Sequence, residues 1–115
     1  MRQYEIWWVS LPPPVGRRPV ILLSRDSAYA VLNKVIVAEV TSTVRDIPVE
    51  VRLGPREGLS RRSVANLDNV HVVARSDLTS RIGSLPASRV GEVKRALGYV
   101  LDWPELKYRD RKYLE

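Results

Sequence analysis

Apolar positions in this chain alternate or run in short blocks, and they recur at helical spacing only near its end. Aromatic and branched residues fill Tyr4 to Leu11, and Pro12-Pro13-Pro14, which cannot donate to a sheet ladder, stops that strand. Val15 to Arg18 then turn the chain into Pro19 to Ser24, whose unbroken apolar centre predicts a strand buried on both faces. Asp26 to Leu32 opens on cap-type residues and predicts about two helical turns ended by Asn33. Val35 to Ser42 and Val49 to Leu53 are β-branched runs, predicted to pair as a hairpin or lie as near neighbours across the loop Thr43 to Pro48. Gly54 to Gly58 is a turn cluster. Ser63 to Leu67 and Asn69 to Val73 add strand with a break at Asp68, Asp77 to Arg81 offers a short capped turn, and Ile82 to Leu85 a last strand.

The clearest helix follows Pro86-Ala87-Ser88. Val90, Val93, Leu97, Val100 and Leu101 recur at helical spacing, while Arg89, Glu92, Lys94 and Arg95 take the other face, so one side should pack on the sheet. Trp103-Pro104 ends it. Many short strands and one long helix predict a mainly β fold with helices (α+β), a small twisted β-barrel or coiled half-barrel with the C-terminal helix packed on it. One domain spans residues 1–103, and 104–115 form a charged tail carrying Lys107, Arg109, Arg111 and Lys112 around Tyr108 and Tyr113. That tail reads either as a mostly disordered end or as a contact for RNA or a protein partner.

Composition narrows the chemistry. With no cysteine, disulfides, thiolate zinc sites and thiol nucleophiles are excluded, and with His71 as the sole histidine a His-rich metal site is not expected. No metal or other cofactor is expected. Apolar runs such as Val20 to Leu23 fall far short of the roughly 20 residues that span a bilayer, and the N-terminus lacks the apolar core of a signal peptide. The expectation is a cytoplasmic protein without membrane contact. The net charge is +6, and 15 of the 19 basic residues are arginine. A guanidinium pairs with phosphate through a planar fork and stacks on bases, so this bias points to nucleic acid, although replacement of Lys by Arg throughout a GC-rich genome would leave the same mark.

The order of motifs is distinctive: Glu5-Ile6-Trp7-Trp8-Val9-Ser10-Leu11, then Gly16-Arg17-Arg18-Pro19-Val20-Ile21-Leu22-Leu23-Ser24, then Val37-Ala38-Glu39-Val40-Thr41-Ser42. It resembles the MazF/PemK family of toxins, the ribonuclease half of bacterial toxin-antitoxin pairs. The likeness continues more loosely through Ser63 to Val70 and the last helix. It implies an SH3-like barrel, a homodimer, metal-independent cleavage of single-stranded RNA at short preferred sequences, and silencing by a cognate antitoxin. By the same resemblance Arg18, directly before Pro19, falls on the family's catalytic arginine and Thr41 on its catalytic threonine. Asp68 and Asn69 fall where members place an acidic residue and an amide against bases. His71 stands where many carry Arg, and the stretch Pro12 to Gly16 is shorter and stiffer than the usual loop between the first two strands.

The residue chemistry agrees with these roles. RNA cleavage by the substrate's own 2′-hydroxyl needs proton shuttling and stabilisation of an anionic phosphorane, not a protein nucleophile, and leaves a 2′,3′-cyclic phosphate and a 5′-hydroxyl. Arg18 offers forked donors and Thr41 a neutral one. Arg17 can touch phosphate or simply face solvent, and Ser42 can donate to RNA or cap its loop. Asp68 and Asn69 suit base edges but equally suit a turn between strands, and His71 can contact substrate or pack. Trp7 and Trp8 point to opposite sides of their strand, so one is exposed, at an interface or against RNA bases. Two further readings share the fold: a catalytically impaired RNA- or protein-binding module, and a toxin that poisons a topoisomerase.

Overall fold

The computed structural model describes residues 1–107. The two strands expected at the start of the chain form, β1 (Glu5–Ser10) pairing antiparallel with β2 (Arg17–Leu22), and β2 begins two residues before Pro19. Arg17 lies opposite Ser10 and Arg18 opposite Val9, so both arginines are strand residues and not part of the turn. Val20, Ile21 and Leu22 are all fully buried, the mark of a strand covered on both faces. The short helix α1 (Ala28–Val31) is one turn where two were expected, and leads into β3 (Lys34–Thr41).

β4 (Glu50–Leu53) does not pair with β3. The strand order is β4-β5-β3-β2-β1-β6, so β5 (Ser63–Ala74) lies between them and the predicted hairpin does not form. The 12 residues of β5 give it the length to serve both neighbours: Asn66 faces Glu39 on one side and Glu50 on the other. The break expected at Asp68 is a bulge inside this strand, because Ala38 faces Val70 while the next residue, Glu39, faces Asn66. Leu67, Asp68 and Asn69 are looped between those partners, and Asp68 N–H donates to Asn66 Oδ1 at 2.9 Å. The last strand, β6 (Leu78–Ser84), runs along β1 and starts four residues earlier than predicted, absorbing most of the expected capped turn.

Two cores flank the sheet. Ile6, Ile21, Ala38, Val40, Val51, Leu53, Ala65 and Leu67 pack under Val93 and Ala96 of α2 (Val90–Val100). Val9, Val20, Leu22, Val35, Val37, Val73 and Leu78 enclose Ala28 and Tyr29 of α1. Leu101, expected on the buried stripe of α2, is exposed, because the chain bends there: α3 (Pro104–Lys107) folds back on α2. A Cβ on Gly98 would sit 2.2 Å from the Lys107 nitrogen, so a residue with a side chain there would push the two helices apart. The first four residues of the charged tail are thus a docked helical turn, and Tyr108 to Glu115 lie outside the described residues.

The sheet edges β4 and β6 share no ladder. Their gap is bridged by the 3₁₀ turn Pro55–Glu57 and Gly58, whose backbone touches β6 so closely that a Cβ on Gly83 would lie 1.9 Å from the Glu57 carbonyl oxygen. Glu57 is 5% exposed. Its carboxylate accepts Gly54 N–H at 2.7 Å and faces Arg89, predicted on the solvent side of α2 but turned inward to it at 3.5 Å. Arg89 also donates to the Arg52 carbonyl at 2.6 Å and twice to Glu92 at 2.8 Å. Hydrogen bonds donated to Glu92 raise the Arg89 pKa above the ordinary value, and the same contact holds the Glu92 carboxyl below its own. Among the described residues no helix is long and apolar enough to cross a membrane.

Candidate active site

The turn that bridges the sheet edges also forms one wall of a cleft of about 420 Å³. Trp8 of β1, Arg18 of β2 and Thr41 at the end of β3 line it from the sheet, and Ser60 and Arg61 from the segment after the turn. Arg18 reaches the cleft because the β1–β2 ladder extends past Pro19, which places the residue on regular strand beside the rim. It is exposed, and among the described residues its guanidinium has no hydrogen bond or ion pair. The Thr41 hydroxyl accepts Thr43 N–H at 3.1 Å. That bond uses an oxygen lone pair and leaves the hydroxyl proton free to donate into the cleft.

Arg17 lies at the edge of the cleft with its guanidinium 4.3 Å from the centre of the Trp8 ring and Nη2 3.2 Å from Ser80 Oγ. Stacking of this kind fixes both partners and keeps positive charge over the ring face. Ser42 also lines the cleft. Trp7 points the other way, into the second core, where its indole N–H donates to Glu5 Oε1 at 3.0 Å. Burial pushes the Glu5 carboxyl up, but the bonds from Trp7 and the Arg2 backbone, with Arg81 beside it, outweigh burial and leave its pKa lowered.

Asp68, Asn69 and His71 do not line this cleft. Asp68 and Asn69 stand exposed on the β5 bulge. His71 is half-buried beyond it, its Nε2 3.6 Å from Glu39 Oε2 and without a hydrogen-bond partner. Ile36, Val70 and Val72 are exposed on the same two strands, with Ile36 directly opposite Val72. The cleft therefore brings together Arg18, Thr41 and Ser42 with Arg17 at its edge, and the other three residues lie elsewhere on β5, with His71 on the opposite face from Val70 and Val72.

Sequence reasoning did not single out Ser60 or Arg61. Their only signal was the charge pair Arg61-Arg62 beside a Gly/Ser turn, which reads as solvated surface until the turn is seen to fold over β6. The cleft lining holds two arginines and no carboxylate, so it is built to receive an anion. Donors aimed at one point in a partly enclosed site stabilise charge that develops on a phosphoryl group. Among the described residues no three His, Asp or Glu side chains come together as a metal site.

The family of PemK-like, MazF-like toxins of type II toxin-antitoxin systems matches residues 2–101. The chain is 39% identical over 99 residues to the probable endoribonuclease MazF5 of Mycobacterium tuberculosis, a match covering 85% of this chain and 90% of that one. The solved structure of Mycobacterium tuberculosis toxin MazF-mt6 superposes with a TM-score of 0.80 at 34% identity, covering 85% and 96% of the two chains. A crystal structure of MazE-MazF (Form-III) from Deinococcus radiodurans gives 0.76 at 28% identity, covering 89% and 96%. The chain belongs to the PemK/MazF family of toxins of type II toxin-antitoxin systems.

Proposed function

We propose that this chain is the toxin of a type II toxin-antitoxin pair, an endoribonuclease that cuts single-stranded RNA, with mRNA as the target class, at short preferred sequences in the cytoplasm. The observation that carries the reading is the cleft lined by both an unpaired Arg18 and Thr41, whose hydroxyl proton is free. Arg18 stabilises the phosphorane through two forked donors, and Thr41 adds a neutral third. The substrate's 2′-hydroxyl attacks the adjacent phosphorus, and the bond to the 5′-oxygen of the next nucleotide breaks. The products are a 2′,3′-cyclic phosphate and a 5′-hydroxyl, and no external nucleophile enters. Arg17 and Ser42 hold the strand along the rim.

The apolar patch of Ile36, Val70 and Val72 supports a homodimer, since cross-strand branched residues at 38–56% exposure are costly to leave in water. Asp68 and Asn69 then stand at the seam, where a carboxylate and an amide can read bases in a groove shared by two protomers. A cognate antitoxin with an acidic, initially flexible segment suits the +6 charge and folds as it fills that groove. The test is induced expression in bacteria. Wild type arrests growth, Arg18→Ala does not, and co-expression of the cognate antitoxin releases the arrest. Arrest by Arg18→Ala with intact cellular RNA would point instead to a toxin that acts on a protein such as a topoisomerase.

A further inference from the structure

The bridging segment presents cations on both of its sides. Arg61 lines the cleft, while its neighbour Arg62 lines a separate groove of about 350 Å³ on the other side, together with Arg52 and Arg56. The floor of that groove is neutral, because Glu57 and Arg89 pair with each other there. Asp46 stands at the rim, 2.8 Å from Arg52 and 3.8 Å from Arg62. Arg56 is exposed and has no ion pair among the described residues. The positive charge is therefore in excess, and it continues from groove to cleft without a gap in sequence.

The platform is stiff. Leu53 pairs with Ser63 and Arg52 with Val64 across β4 and β5, and a Cβ on Gly54 would lie 4.0 Å from the Arg62 Cα, so the segment returns against its own start. Guanidinium groups on such a platform start from fixed backbone positions, and each offers a fork that matches phosphate.

We propose that Arg56 and Arg62, joined to the cleft by Arg61, form a track that holds the phosphate backbone of nucleotides flanking the cleaved bond. The proposal rests on the RNA-cleaving reading above. Single-stranded nucleic acid is the occupant because Arg62 of the groove directly follows Arg61 of the cleft proposed to take such a strand, and because the groove's cations outnumber its carboxylates. An acidic protein segment would want a large apolar anchor in a desolvated pocket, and the groove offers only Leu53 and Pro55 for that purpose.

The experiment compares the full chain with the double variant Arg56→Ala/Arg62→Ala, each in the Arg18→Ala background so that RNA stays intact. Fluorescence anisotropy reads binding to a labelled long single-stranded RNA, and to a short oligonucleotide that fills only the cleft, from 50 to 200 mM salt. Each lost phosphate contact to a single strand lowers the slope of log affinity against log salt by about 0.7, so two lower it by about 1.4, or about sevenfold in affinity over that range. The double variant should show that loss for the long RNA, and the affinity advantage of long over short should collapse. Arg56→Lys/Arg62→Lys should restore the slope, since the effect follows charge, which a folding defect would not do. An unchanged slope on long RNA, or an equal loss on the short oligonucleotide, overturns the track. A slope unchanged for RNA but lowered for polyglutamate overturns it in favour of an acidic protein. Wild-type cleavage of the long RNA, run alongside, tests the ribonuclease reading separately.

Discussion

Replacing Arg89 by Met tests how the cleft wall is held. The change keeps a long apolar stem while removing the guanidinium, so Glu57 stays 5% exposed without a cation and the Arg52 carbonyl loses its donor. Breaking a fully buried pair costs about 3–5 kcal/mol. Here the Arg89 side chain is 26% exposed and its Glu57 contact is 3.5 Å long, both of which weaken the pair, while the bond to the Arg52 carbonyl restores part of the cost. Hydrogen bonds to charged groups are worth about 1.5–3 kcal/mol, which sets the expected loss at about 2.5 kcal/mol. With an unfolding entropy of about 2.1 cal/mol/K per residue, this lowers Tm by about 10 °C for a chain of this length. Thermal melting by circular dichroism at fixed protein concentration reads it, and urea unfolding gives the free energy directly. Glu57→Gln in the same background should recover part of the loss, because the stranded charge is gone. A fall in Tm of less than about 3 °C for Arg89→Met would refute the claim that this pair braces the turn.

Gly83→Ala places a Cβ against the Glu57 carbonyl, and since both partners are backbone, overpacking should cost about 1–3 kcal/mol in urea unfolding; a neutral result would mean that the turn does not close on β6. Glu92 has a lowered pKa in the folded chain, so the stability it contributes is full above its unfolded value of about 4.3 and lost as pH falls through the lower folded value. Glu92→Gln should therefore flatten the decline of Tm below pH 4.3, and an equally steep decline would count against the Arg89 contact. Ile36→Asp or Val72→Asp should turn a dimer into a monomer by light scattering, and a persistent dimer would place the interface elsewhere.

The strands and the final helix were legible because burial writes itself into sequence. Val20, Ile21 and Leu22 form an apolar block, and Val93 and Leu97 repeat at helical spacing. Pairing partners were not, because they depend on distant contacts. Nothing local in Val35 to Leu53 shows that β5 will come between β3 and β4, and a β-branched strand fits either neighbour. Arg89 was misplaced for a related reason: periodicity treats charge as solvent-facing, whereas Glu57, 32 residues earlier, draws this guanidinium inward. Arg18 and Thr41 were singled out by the order of motifs, since an arginine at a strand start and a threonine at a strand end are common separately. That both line one cleft became visible only with the register Val9 to Arg18 and Thr41 to Val64 in place. Ser60 and Arg61 needed the closed turn.

The most direct test of the account is cleavage in vitro. Purified wild type and Arg18→Ala are incubated with a long single-stranded RNA in EDTA, and new ends are mapped by primer extension and by sensitivity to 5′-end phosphorylation. Wild type should cut at a repeated short motif and leave 5′-hydroxyl ends, while Arg18→Ala should cut the same positions about 10²–10³-fold more slowly, the loss expected for one transition-state donor. Intact RNA with wild type, or equal cutting by both proteins, would contradict the assignment of the cleft.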